Sequence, residues 1–210
     1  MSKKTSFIPS PCRFFISMLV FALLVGCESS DMKGSSKQTA PVASASPTAP
    51  AKPAPVVPVD PVIRICAGTA ANFIDTGGNI WLADRGFGGG MVVSRANDME
   101  IANTKNPGLY RTEHWGMTSF SQPLPNGKYV VKLHFAETYE GIKGPGGRVF
   151  SFNIEGRDFQ DFDVWVKAGG RQRAYIETVN TTIADGKLDI TFEAIADNPE
   201  INGIEIVPSP

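Results

Sequence analysis

From residue 61 onward the sequence predicts an all-β domain, a β-sandwich or jelly roll, and three observations predict it. Apolar and polar residues alternate with a period of two in several short runs. Turn signals rich in Gly and Pro separate those runs. No stretch carries the 3.6-residue periodicity of an amphipathic helix. Short alternating strands joined by such turns close into a sandwich or jelly roll, because each strand has one apolar face to bury.

The elements follow in chain order. Lys3, Lys4 and Arg13 precede an apolar run from Phe14 to Gly26, the charged and apolar regions of a secretory signal over residues 1–26. The run is shorter than the ~20 apolar residues that cross a bilayer. It closes on Leu24-Val25-Gly26-Cys27, which resembles a bacterial lipobox and implies lipidation of Cys27 after cleavage. Two or more acyl chains anchor stably where one does not, so the mature chain is expected to be tethered to a membrane of the cell envelope. Glu28 is not the aspartate associated with retention at an inner membrane, which points to an outer membrane in a cell that has one.

Residues 27–60 comprise the lipidated cysteine and a segment of Ser, Thr, Ala, Pro and Lys with repeated Ala-Pro pairs. Its composition predicts a disordered linker, since it holds too little apolar surface to offset the entropy of ordering. Of the three cysteines, Cys12 leaves with the signal, Cys27 takes lipid, and Cys66 alone remains in the folded part. No intramolecular disulfide is expected, and Cys66, within the short apolar run Val62 to Cys66, reads as a packed core residue.

Within residues 61–208, Tyr129, Val131, Leu133 and Phe135 alternate with Lys128, Val130, Lys132 and His134, placing the first set inward and the second toward solvent. The pattern returns at Phe150, Phe152 and Ile154, at Leu188, Ile190 and Phe192, and at Ile204 and Ile206. Turns are predicted at Pro125-Asn126-Gly127, Gly144 to Gly147, Ala168-Gly169-Gly170 and Asp185-Gly186. Gly86-Phe87-Gly88-Gly89-Gly90-Met91 begins like a dinucleotide fingerprint, but Met91 stands where the last glycine belongs, so the segment reads as a loop or β-bulge. A net charge of −1 and the lack of a basic stripe give no footprint for nucleic acid. The two histidines are not paired at metal-ligand spacing; acidic residues such as Asp75, Asp84 and Asp98 offer oxygens that could hold a structural Ca²⁺, and no other cofactor is expected.

Four segments, Leu109 to Trp115 (LYRTEHW), Lys128 to Glu140 (KYVVKLHFAETYE), Arg148 to Gly156 (RVFSFNIEG) and Asp197 to Val207 (DNPEINGIEIV), together resemble the malectin domain over Pro61 to Pro208. The resemblance implies a galactose-binding-domain-like sandwich of malectin type that binds an oligosaccharide, glucose- or galactose-containing, on loops at one end. It places ligand-binding roles on Trp115, on Tyr139 and on Asp197. At the second position of the family's aromatic pair this chain has Glu140, so an acid replaces a stacking ring. The family's early tyrosine falls near Gly86 to Gly90, where Phe87 is the available aromatic. Tyr110 and Arg111 either orient their strand or reach the ligand.

Sugars present flat C–H faces and a rim of hydroxyls, so aromatic rings with a few carboxylates suit them. Three classes of function follow: a tethered carbohydrate-binding module, a protein- or peptide-binding adaptor on the same fold, and a glycosidase using Glu113 and Glu137. The first is expected, with no enzymatic activity, because no nucleophile or acid/base constellation stands out.

Overall fold

The computed structural model describes residues 61–210. The expected signal, Cys27 and the Pro-rich segment lie outside the described residues. Two antiparallel sheets form the domain, with the apolar alternation setting their facing surfaces. The first sheet runs β1 (Ile63–Cys66), β12 (Gly203–Ser209), β6 (Gly127–Phe135) and β9 (Tyr175–Ile183). In the second, β5 (Thr112–Pro123) is flanked on one side by β4 (Phe87–Ser94) and on the other by β10 (Lys187–Ala196) and β11 (Glu200–Ile201). β7 (Val149–Ile154) and β8 (Arg157–Phe162) continue it beyond β10. A short hairpin of β2 (Phe73–Ile74) and β3 (Ile80–Trp81) stands apart.

The core between the sheets is the one that the period-two pattern predicts. Tyr129, Val131, Leu133 and Phe135 are buried, as are Phe150, Phe152, Ile154, Leu188, Ile190, Phe192, Ile204 and Ile206. Phe135, Phe150, Phe152 and Phe162 pack with ring centroids 5.0–6.4 Å apart. Such tilted contacts add to the burial energy of the rings.

Three details differ from the sequence reading. His134 does not face solvent, because a second apolar layer of Cys66, Trp81, Ile101, Leu109 and Tyr110 covers that side of the first sheet. Trp81 meets the imidazole edge-on at 5.1 Å, and the Tyr110 hydroxyl is hydrogen-bonded to its Nδ1 at 2.8 Å. Burial lowers the His134 pKa to about 4. Ala168-Gly169-Gly170 is not a free turn but the end of a five-residue helix, α1 (Val164–Ala168), whose N-terminus Asp163 caps through Val166 N–H and whose C-cap Gly169 sits at φ 76°. Phe87 opens β4 and packs on Phe120 and on the His114 ring, at 5.0 and 4.4 Å.

Cys66 is buried, with its Sγ 3.5 Å from Thr112 Oγ1, and burial raises its pKa. The Gly-rich segment before Met91 is the expected bulge, with a register shift between Gly88 and Gly89. Gly90 is required there: it has φ +81°, and a Cβ on it would stand 2.5 Å from the Trp115 carbonyl oxygen.

Candidate functional site

The end of the sandwich where β4, β6 and β10 finish and β5 and β7 begin gathers the loops. A cavity of about 380 Å³ opens there, lined by Val93, Arg95, Glu113, Trp115, Tyr139, Arg148 and Asp197. That volume lies in the range of small-ligand sites.

Strand register explains the wall on β5. Glu113 and Trp115 are two residues apart and so share a face, opposite Val93 and Met91 of β4. Tyr139 comes from the loop after β6 and is exposed. Its ring lies over Gly141, where an added Cβ would stand 2.3 Å from Tyr139 Cε1. Asp197, between β10 and β11, holds φ 61°, a conformation that Asp and Asn tolerate better than other side chains. Its Oδ1 accepts from the Asn198 N–H at 2.6 Å.

Beneath these groups lies a charge network. Arg95 donates from Nη2 to Glu113 Oε1 at 2.8 Å and from Nε to Thr138 Oγ1 at 2.9 Å, and that hydroxyl donates to Glu113 Oε2 at 2.6 Å. Arg148 donates from Nε to Glu137 Oε2 at 2.6 Å, and from Nη1 to the carbonyl of Asn198. Its Nη1 is 3.8 Å from Asp197 Oδ1. The other oxygen of Glu137 accepts from the Tyr139 N–H at 2.8 Å.

A third acid, Glu200, pairs across from Trp115, is fully buried and makes no hydrogen bond through either oxygen among the described residues. Burial, and then the charges of Glu113 and Glu137, push its pKa well above the ordinary carboxylate value, so Glu200 holds a proton where an exposed glutamate has lost it. Burial also raises Glu113, against the pull of Thr138 and Arg95. His114, on the opposite face of β5 from Glu113 and Trp115, is hydrogen-bonded to Asp84 Oδ2 and the Gly89 carbonyl, each at 2.9 Å. Burial opposes its protonation, yet these bonds raise its pKa.

Of the residues expected from the sequence, Trp115, Tyr139 and Asp197 are brought together in one cavity. Phe87 and Glu140 are not among its lining; Phe87 packs toward the core and Glu140 is exposed beside Tyr139. Glu113 and Glu137, the carboxylates weighed for a glycosidase, are buried and paired to arginines. Nothing local in the sequence marks Arg95 or Arg148, because their acceptors are distant: Glu113 lies 18 residues from Arg95, and those of Arg148 lie 11 and 50 residues away. Asp75 caps its own turn through Gly77, Asn79 and the Trp81 indole, and Asp84 is taken by His114 and the Gly68 N–H. Among the described residues no His, Cys, Asp or Glu cluster is arranged to hold a metal.

This geometry defines a class: an antiparallel β-sandwich with a partly aromatic cavity at its loop end, set over buried charges. The family model of the malectin domain matches residues 62–204, and the chain belongs to the malectin-domain family. Among curated proteins it is similar to a probable LRR receptor-like serine/threonine-protein kinase of Arabidopsis thaliana, 33% identical over 92 residues, 40% of this chain and 9% of that protein. It is also similar to receptor-like protein 4 of the same plant, 36% identical over 84 residues, 39% of this chain and 13% of that protein. The chain thus corresponds to about a tenth of the length of these relatives.

Solved structures agree on the fold. A β-glucuronidase of Bacteroides uniformis matches with TM-score 0.64 at 21% identity, over 71% of this chain and 18% of that one. The ANXUR2 extracellular domain of Arabidopsis thaliana matches with TM-score 0.61 at 17% identity, over 70% and 48%. A chain from the complex of the plant peptide RALF23 with FER and LLG2 matches with TM-score 0.62 at 18% identity, again over 70% and 48%.

Proposed function

We propose that this protein is a carbohydrate-binding module, anchored to the cell envelope through a lipidated Cys27, that holds a neutral glucose- or galactose-containing oligosaccharide in the loop-end cavity. The observation that carries this reading is the convergence of Trp115, Tyr139 and Asp197, from three separate segments, on one cavity. The two rings stack on C–H faces of the sugar, and Asp197 accepts hydroxyl hydrogens. Arg95 and Arg148 are occupied by Glu113, Glu137 and the Asn198 carbonyl, so the cavity offers no surplus cation to an acidic sugar. The same pairing supports a binding rather than a catalytic role: both candidate acids serve the arginines beneath the cavity.

A disaccharide of roughly 23 non-hydrogen atoms at about 0.3 kcal/mol each reaches about 7 kcal/mol, a Kd on the order of 10 μM at best. Calorimetry across a glycan panel tests the reading. Trp115→Ala, Tyr139→Ala and Asp197→Ala should each weaken the bound sugar by about 1–3 kcal/mol while the fold stays intact. Equal binding by all three variants sinks the assignment of the site. Labelling with a fatty-acid analogue tests the anchor, and Cys27→Ser should abolish both label and membrane retention.

A second reading, a protein- or peptide-binding adaptor, is favoured by the likeness to a chain of the RALF23 complex and by edge strand β4, which exposes Met91 and Val92 beside the cavity. It takes over if no sugar in a broad panel binds.

A further inference from the structure

A second cleft, of about 450 Å³, lies beside the first and carries a different chemistry. Arg111, Arg171 and Arg173 line it, with Gln172, Pro107 and Glu100. Among the described residues none of these three arginines is ion-paired, whereas both arginines of the aromatic cavity are. Three guanidiniums against the single carboxylate of Glu100 leave the cleft with a surplus of two positive charges.

The backbone joins the cleft to the cavity. The N–H of Arg95, which lines the cavity, donates to the carbonyl of Arg111, which lines the cleft, at 2.7 Å. The N–H of Gln172 in the cleft donates at 2.8 Å to the carbonyl of Glu137, whose side chain holds Arg148 of the cavity. Segments hydrogen-bonded in this way lie about 5 Å apart, so the walls of the cleft and of the cavity are neighbours in the fold.

The arginine-bearing segment is also fixed in place. Ala102 N–H donates to the Gln172 carbonyl at 2.8 Å, and Ala174 N–H donates to the Ala102 carbonyl at 2.9 Å. Gln172 between the arginines adopts φ 56°, a left-handed conformation that these bonds on either side hold. Arg111 is oriented by donating from Nε to the Met99 carbonyl at 2.8 Å, and its two terminal nitrogens have no partner among the described residues.

We infer that this cleft is a second subsite, taking an oxyanion carried by the same glycan chain whose neutral residue sits in the aromatic cavity. The proposal rests on the carbohydrate reading above. A planar guanidinium matches a carboxylate or a sulfate group through paired N–H bonds, and two or three unpaired guanidiniums in one cleft suit such a group better than a neutral hydroxyl. The oxyanion is a uronate carboxylate or a sulfate ester, which share this chemistry.

The test compares three oligosaccharides on the full chain: a neutral oligosaccharide ending in one uronate residue, its methyl ester, and a sulfated neutral oligosaccharide. At low salt the carboxylate or the sulfate form should bind about tenfold more tightly than the uncharged ester, and about 0.5 M salt should remove most of that advantage by screening. In the double variant R171Q/R173Q the preference for the charged form should vanish, while binding of the ester and the unfolding temperature remain those of the parent. Trp115→Ala should weaken charged and uncharged forms alike. Preference for the carboxylate over the sulfate, or the reverse, identifies the source of the oxyanion. Equal binding of acid and ester by the parent, or a preference surviving in R171Q/R173Q, overturns the subsite and leaves the aromatic cavity standing. Binding of none of the three, nor of any neutral glycan, sinks the carbohydrate reading itself. Competition by an acidic peptide as strong as that by the acidic sugar overturns the glycan assignment.

Discussion

Replacing Glu200 by Gln should change how stability depends on pH, and the direction follows from the site. Glu200 is fully buried beside Glu113 and Glu137, with neither oxygen hydrogen-bonded, so its folded-state pKa lies well above that of the unfolded chain. Above pH ~4.3 the unfolded chain releases the proton that the folded protein keeps. Stability must then fall as pH rises, by up to about 1.4 kcal/mol per unit, until the folded-state carboxyl itself ionises. Glutamine keeps the shape and neutrality of the protonated acid, so the variant lacks this slope. His134 contributes the opposite trend: its folded pKa of about 4 lies below the unfolded value near 6.5, so its stabilisation is lost as pH falls through that window. That term is common to both proteins and cancels in their difference. Urea unfolding at half-unit steps from pH 4 to 8 measures it. The stability of the variant minus that of the parent should climb at about 1.4 kcal/mol per unit above pH ~4.3 and then level off. The extra amide N–H adds a constant offset beneath that climb, about 1–3 kcal/mol if it is left unpaired. A difference that stays flat across the whole range refutes the reasoning, for Glu200 would then be ionised in the folded protein.

Three further outcomes are expected. Leu133→Ala and Phe152→Ala should each cost about 2–5 kcal/mol by urea unfolding, whereas Lys132→Ala, part-exposed and bonded to Glu205 at 2.7 Å, should cost about 1 kcal/mol or less; equal losses at all three would mean the faces are misassigned. Gly141→Ala should displace the Tyr139 ring and weaken sugar binding about as much as Tyr139→Ala, with little loss of stability because residue 141 is exposed; unchanged affinity would show that the ring does not stack on the ligand. Ring NMR should find the two histidines titrating on opposite sides of the ordinary value, His134 near pH 4 and His114 above it, and the reverse order would contradict the two environments.

What could be read from the sequence was whatever a local pattern encodes. Leu133, Phe152 and Ile190 fall inward because a strand's two faces are set by parity alone, and the bulge before Met91 is announced by its glycines. His134 obeys the same parity, yet it is buried, since the layer over it comes from Trp81 and Tyr110, far off in the chain. The acids show the same limit. Glu113 and Glu137 look like surface residues until Arg95, just past β4, and Arg148, just before β7, reach them. Asp197 reads on its own as a turn former, and its backbone and its bond to the Asn198 N–H make it one; its place in the cavity came only from resemblance to the family. Phe87 shows the cost of that route: it is the only aromatic between Gly86 and Gly90, and its ring packs on His114 and Phe120.

The buried charges look expensive for a binding module, because desolvating ions seldom adds stability. Their position suggests what they do instead. Glu137 holds the backbone of Tyr139 through one oxygen and Arg148 through the other. Arg148 in turn grips the carbonyl of Asn198, next to Asp197, so one guanidinium and one carboxylate tie two of the three proposed sugar contacts to each other. The third, Trp115, rides on the strand that carries Glu113, which Arg95 and Thr138 secure. Loops carrying stacking rings would otherwise pay their ordering entropy at each binding event. A network that fixes them beforehand shifts that cost to folding, where the large phenylalanine core between the sheets can bear it.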